Sequence, residues 1–528
     1  MKKILLFVCF AALTACDPED PPTPIFDIGT TTVYIYDGPT AGSYTLSGPI
    51  HLASSYDWNI LNSASAYISL STDSGSGGVN DIQITVNGLL TDHLSAFPWE
   101  DGEGYKIGVL TLTAPKFSGG SLSVTVYYRP LIQIIYHLNG GSGDAPAAQT
   151  GNSGTSLTLS DGSSMASPAD HTFYGWSTTP DVTKGRFYKA GDSYVLQTSL
   201  TLYALWSGDG ASYANPLFIS TQAELKGINT NNDTRSKHYK LIADIPLTYI
   251  GDATWTPIGD NSNPFTGSLD GNGHSISKLK IRASGGDVGL FGYINVSADN
   301  IAVQNLQLVE VDIQGNTNNP NSVYAGAVAG RLYGGTIQGC AVFGEIFSNR
   351  SVSQSYAGGI VGEMNTAGII QNCYISGTIS ALGNSYTYAG GIAGRSFGSI
   401  QNCYATGAVS ADESNSSAGG IAGRSANGSI RNCVALNNNV SATPNPWRVA
   451  GNTSISLANN YGWSNMLRDG ASYDWTDSEL NGVSCEAKPT ENWWTNPANW
   501  DTTTGSAWDF VDIWIMGTDG YPTLRKLN

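Results

Sequence analysis

Gly394-Arg-Ser396-Phe-Gly398 has the Gly-x-Ser-x-Gly spacing that raises a serine on a strained turn for nucleophilic attack. The hydrolase order then needs a histidine after the serine, yet His51, His93, His137, His171, His238 and His274 all precede it. The equivalent Gly423-Arg-Ser-Ala-Asn427 repeats the stretch without its last glycine, so the motif reads as structural. Asp270-Gly-Asn272-Gly-His274 opens like a calcium loop, but its twelfth position is Ile281 where a bidentate Glu is required. A tight turn accounts for it. No His-Glu-x-x-His is present, and no Cys-x-x-Cys pair or histidine partner lies near the cysteines to make a zinc site. Glycoside hydrolysis needs two carboxylates ~5 to 9.5 Å apart. Of Glu310, Asp312, Glu345, Glu363, Asp412 and Glu413, only Glu310 and Asp312 stand two apart on one strand face, and they read as a solvent-facing pair. The expectation is a protein without catalytic residues, metal or cofactor.

The elements that must carry these residues form a repeat. Tyr324-Ala-Gly-Ala-Val-Ala-Gly330, Tyr356-Ala-Gly-Gly-Ile-Val-Gly362, Tyr388-Ala-Gly-Gly-Ile-Ala-Gly394 and Ser417-Ala-Gly-Gly-Ile-Ala-Gly423 are each followed by an Ile-Gln-Asn-Cys-like step ending at Cys340, Cys373, Cys403 and Cys433. Weaker copies flank them at Gly289-Leu-Phe-Gly292 with Val303-Gln-Asn-Leu306, and at Leu457-Ala-Asn-Asn460. A period near 30 built from short β-branched runs means stacked coils of a parallel β-solenoid. Coils ~4.8 Å apart make a rod roughly 30 Å long.

Asn305, Gly339, Asn372, Asn402, Asn432 and Asn459 occupy one position of the unit, and Asn and Gly are the residues that accept positive φ. This column is expected to be a left-handed corner. Alternation beyond it places Cys373, Ile375, Cys403 and Ala405 inside and Tyr374 and Tyr404 outside. The thiols become a buried ladder, a reading supported by Leu306 in the same column. Tyr374, Tyr404 and Tyr461 would then line an exposed aromatic face, and Arg331, Glu363, Arg395 and Arg424 fall at matching positions on successive coils.

Composition agrees. The 528 residues include 63 glycines and only 13% charged residues, which suits turns and strands, while 41% hydrophobic residues provide a core. A net charge of −17 supplies no basic stripe for phosphate, so nucleic-acid binding is not expected. Eight of the 13 tryptophans lie beyond residue 446, among them Trp493 and Trp494. Indoles stack on sugar faces, and a cap over the last coil needs the same residues.

Several segments resemble known families. Lys2, Lys3 and the apolar run from Ile4 to Leu13 close on Leu13-Thr-Ala-Cys16, which resembles a bacterial lipobox. The resemblance implies a signal peptide over 1–16, acylation of Cys16, a Pro-rich acidic tether over 17–30 and anchoring in the outer membrane; Asp17, Glu19 and Asp20 resemble surface-export signals. An ordinary cleaved secretory signal is the alternative. The Ala-Gly-Gly-Ile-Ala-Gly units resemble the GLUG motif of bacterial surface proteins and of some immunoglobulin A proteases outside their catalytic part. That implies a right-handed β-helix over 265–463, with an amino-terminal cap over 208–264 that includes a short helix at Ala223-Glu-Leu225, and a Trp-rich cap over 464–528. Trp58 and Ser74-Gly-Ser-Gly-Gly78, in a β-sandwich expected over 31–130, resemble BACON domains. Asn139-Gly-Gly141, Phe173-Tyr-Gly-Trp176 and Leu200-Thr-Leu-Tyr-Ala-Leu-Trp206 resemble the internalin-type B repeat, implying a β-grasp module over 131–207.

The expected whole is an all-β, multidomain surface protein, anchored through Cys16, that acts as an adhesin toward a host protein or other partner. Its candidate binding surface is Tyr374, Tyr404, Tyr461, Arg395, Arg424, Trp493 and Trp494. The alternative is a glycan-binding accessory protein for polysaccharide or mucin; a third reading is a β-helix polysaccharide lyase or hydrolase.

Overall fold

The computed structural model describes residues 26–527 apart from 38–43, 89, 101–102, 117–120, 153, 183–184, 252, 284–285, 318–321, 351–353, 452 and 501–507. The signal segment, Cys16 and most of the tether lie outside the described residues.

Alternating sequences pair as expected near the amino terminus. Leu122–Arg129 runs antiparallel to Gly104–Thr113 and parallel to Thr32–Asp37, while Ile50–Ser54 pairs with Phe26–Ile28 and Gly78–Ile82 in a second sheet. One core joins the two sheets, with Trp58, Ile50, Leu52, Leu110 and Val124 fully buried. Gly75 is needed there: a Cβ on it would stand 2.6 Å from the Trp58 ring. Within 131–207, Leu131–His137 pairs with Gln149–Asn152, and Thr172–Ser177 pairs with Phe187–Tyr188 and with Tyr203–Ser207. The described residues of this segment contain strands and no α-helix.

From Leu217 onward the chain winds as a parallel β-solenoid of about seven turns. Ile337, Ile370, Ile400 and Ile430 stack in register on one sheet, and Val342, Ile375, Ala405 and Ala435 on another. These side chains are fully buried. Each buried Ile or Val contributes on the order of 2 kcal/mol before chain entropy is charged against it. Asn305, Gly339, Asn372, Asn402, Asn432 and Asn459 all have φ between 49° and 60°, so the corner column is left-handed as its residue types require. Cys340, Cys373, Cys403 and Cys433 are free and fully buried, and burial pushes the Cys340 and Cys403 thiols well up.

The solenoid extends beyond both expected limits. Leu217–Ile219 already pairs in parallel with His238–Leu241, which pairs in parallel with Ser268–Asp270, so the segment read as a cap contributes coil strands. The expected short helix is there, spanning Gln222–Gly227 with a Thr221/Glu224 capping box and Leu225 buried. At the other end Val483–Cys485 pairs with Tyr461–Trp463. That last coil is closed by Arg448, which is fully buried and donates to Gly462 O, Gly482 O, Ser484 Oγ and Asp477 Oδ1. Trp475 lies below it, its indole N–H on Met466 O at 2.7 Å.

The described residues of 489–527 differ from the expected end cap. They pass along the side of the coils as a strap: Trp493 meets Tyr461, Trp508 donates to Asn432 O, Tyr521 stacks near Tyr404, and the Lys526 carbonyl sits against Gly273. Arg448 and Trp475 already close the coil end. The aromatic-rich strap instead covers an apolar column on the flank.

Candidate binding face of the solenoid

The outward tyrosines are in register, with Ala341, Tyr374, Tyr404, Val434 and Tyr461 on successive coils. They leave the interior as alternation requires, and the expectation of an exposed aromatic face fails at the next layer of packing. Tyr374 and Tyr404 are 5% and 3% exposed because the strap lies on them. Their rings stack at 4.9 Å and 5°. The Tyr404 hydroxyl donates to Pro522 O at 2.6 Å, and the Tyr374 hydroxyl is 3.2 Å from Thr523 Oγ1. Burial pushes the Tyr404 phenol well up. Trp494 is fully buried and donates to Pro489 O, while Trp493 and Tyr461 are half-buried against each other at 4.8 Å. Tyr374, Tyr404 and Trp494 therefore form a packing interface within the molecule.

A different aromatic column stands beside the charged row. Tyr293, Arg331, Glu363, Arg395 and Arg424 occupy one register line. Tyr324, Tyr356 and Tyr388 occupy another, with ring centroids 5.2 Å apart at both steps. Each arginine lies over a tyrosine: Arg331 over Tyr324 at 4.6 Å, Arg395 over Tyr356 at 5.6 Å and Arg424 over Tyr388 at 5.4 Å. These tyrosines open the repeat unit, where the sequence showed them only as spacing markers. Their signal was recurrence at the period of the arginines.

Carboxylates hold two of the cations. Asp287 grips Arg331 through Nε at 2.5 Å and Nη2 at 2.8 Å, and Glu363 is 3.4 Å from Arg395 Nη1. Desolvation raises the pKa of both acids, with the arginines opposing it. Arg424 donates through Nη1 to the Tyr388 hydroxyl at 2.7 Å and has no carboxylate partner among the described residues. The arginine and Glu363 side chains of the two ion pairs keep 20–25% of their surface exposed. At the foot of this row lies an open cleft of about 950 Å³, lined by Asn229, Asp260, Asn261, Asn263, Tyr324 and Arg331. Guanidinium, amide and phenol groups there present directional donors and acceptors, suited to recognising a polar partner along several coils.

Asp287 was absent from the acids considered in the sequence, because the first coils carry weaker repeat signatures. Glu310 and Asp312 do not form a common pair: Glu310 has φ 54° at a register shift and is exposed, while Asp312 is bound by Arg282. Ser396 is 1% exposed, with its hydroxyl near Gly398 O, and so packs inside its coil. Asp270 receives the Asn272 N–H and the Asn305 amide in a turn.

A profile of the GLUG motif matches residues 385–410. Halomucin of Haloquadratum walsbyi is 31% identical over 209 residues, which are 38% of this chain and 2% of that protein. A protein of Evansella cellulosilytica described as a Gly-rich membrane protein is 35% identical over 137 residues, 25% of this chain and 15% of its own length. The chain thus spans a small part of the curated relatives it matches. A solved structure described as an immunoglobulin A1 protease from Bacteroides ovatus superposes with a TM-score of 0.47 at 24% identity, covering 60% of this chain and 94% of that one. The chain carries a GLUG motif on a parallel β-solenoid.

Proposed function

We propose that this protein is a lipid-anchored cell-surface adhesin, attached to the outer membrane through Cys16, whose solenoid binds an extended partner along the row Arg331, Glu363, Arg395 and Arg424. The names of its relatives, a halomucin and a membrane protein, support a place at the cell surface. The observation that carries the binding reading is the register itself: guanidinium groups braced on tyrosine faces on neighbouring coils, with Arg424 lacking an acidic partner among the described residues. A braced arginine loses less side-chain entropy when it meets a ligand.

The role is binding without catalysis. Asp287 and Glu363 serve their arginines, an arrangement that orients donors. Glycan binding is the second reading, favoured by the amide-rich cleft below the row.

The chain from Asp17 to Asn528 is tested on an array of extracellular host proteins and on a glycan array. Capture of a host protein that is weakened at least ~10-fold by R395A with R424A supports the adhesin. Glycan capture lost with the same pair supports the second reading. Capture that survives the double substitution overturns the assignment of this row, and release of reducing sugar from a bound polysaccharide overturns the non-catalytic role.

A further inference from the structure

Gly339 is the one glycine in the positive-φ corner column formed with Asn305, Asn372, Asn402, Asn432 and Asn459, and its rung therefore lacks a side chain. A cavity of about 210 Å³ opens at this gap, between the corner and the strap. Gln304, Asn305, Gln338 and Asn372 line it from the coils, and Asp512 and Lys526 from the strap. A Cβ on Gly339 would stand 3.1 Å from Asn305 Oδ1, so that acceptor faces the vacant rung.

The polar groups are held in place. Gln338 donates to Gln304 Oε1 at 3.0 Å, Gln371 to Gln338 Oε1 at 2.7 Å and Gln401 to Gln371 Oε1 at 2.6 Å, a one-way amide ladder that fixes each carboxamide. The Asn305 amide is fixed by Asp270 at 3.0 Å. Asn372 Oδ1 is buried without a hydrogen-bond partner among the described residues.

We propose that this cavity binds one neutral polyhydroxylated ring, such as a hexose unit of a glycan. A hydroxyl both donates and accepts, as the lining carboxamides do. Asp512 and Lys526 offset each other's charge, so the site offers no net attraction to an ion. The Ile513 and Leu524 side chains supply apolar wall for the C–H face of a ring. The volume lies below the ~300–1,000 Å³ of pockets for larger ligands and suits a single ring. The site is separate from the arginine row and does not depend on its role.

The chain from Asp17 to Asn528 is titrated with methyl glycosides of neutral hexoses and N-acetylhexosamines by calorimetry and saturation-transfer NMR. Binding near ~1 mM is expected for at least one glycoside. G339N restores the asparagine that the column holds elsewhere, at a φ of 60° that asparagine accepts, and fills the gap. It should fold, as a melting curve checks, with Asn305 Oδ1 giving way by a few tenths of an ångström, and weaken binding ~10-fold or more. K526A, at an exposed position, gives a second readout that does not burden the fold and should weaken binding several-fold. The proposal is overturned if no glycoside binds at ~50 mM, if both G339N and K526A bind as wild type, or if free amino acids bind where glycosides do not.

Discussion

Replacing Tyr404 with Ala tests whether the strap is held by side chains on the outer column. Among the described residues, the strands of the strap, Trp514–Met516 and Pro522–Leu524, pair with each other and with neither solenoid sheet. Docking therefore rests on packing, and Tyr404 is its centre: within 6.4 Å of Tyr374, Trp494, Trp508, Trp514 and Tyr521 by ring centroid, and bonded to Pro522 O. Truncating a buried aromatic to Ala costs ~3–5 kcal/mol, and losing one hydrogen bond accounts for ~1 kcal/mol on its own. Y404A should open the strap, raising amide exchange across 489–527 by ~100-fold or more while the coil strands stay protected. Y404F, which keeps the ring, should cost only ~1 kcal/mol. Unchanged exchange in Y404A would refute side-chain docking, and loss of protection throughout the coils would show that strap and solenoid unfold as one unit.

Three further outcomes follow from the same geometry. At the corner, N402A should lose ~1–2 kcal/mol, because alanine resists the φ of 51°, whereas N402G should stay closer to wild type; denaturant midpoints compare them. The ladder thiols Cys340, Cys373, Cys403 and Cys433 should resist alkylation until the solenoid unfolds, and C403A should destabilise by ~1–2 kcal/mol; mass spectrometry of labelled peptides and melting curves read both. His274 lowers the Asp244 pKa to about 2 through a side-chain hydrogen bond. A depressed carboxylate stabilises the fold above its unfolded pKa, and that contribution disappears as pH falls from about 4 toward 2. The Asp244 side chain is 69% exposed, so solvent screening holds the effect to ~1 kcal/mol, and D244N should flatten the acid limb of stability against pH by that amount.

The solenoid was legible because its requirements are local and repeat. Asn402 accepts a left-handed corner on its own backbone terms, and the alternation of Cys403, Tyr404 and Ala405 assigns inside and outside without knowledge of any distant residue. The candidate site was legible in part. Arg331, Glu363, Arg395 and Arg424 could be placed on one line by counting repeats. Asp287, in a coil with a weak signature, could not be placed that way; Tyr324, Tyr356 and Tyr388 recur at the same period, but their place beneath the arginines is decided only by the stacking of the coils.

Repetition and residue type alone determined the parallel coils, the corner column, the buried thiols and the outward direction of Tyr374 and Tyr404. Tertiary structure alone decided that outward did not mean exposed. The Trp-rich segment could have covered the last coil or a flank, since indoles shield either; Arg448 and Trp475 already close the coil end, and Tyr404 offers the flank an apolar column with a hydroxyl for Pro522. That choice depends on contacts 118 residues apart, which no local pattern encodes.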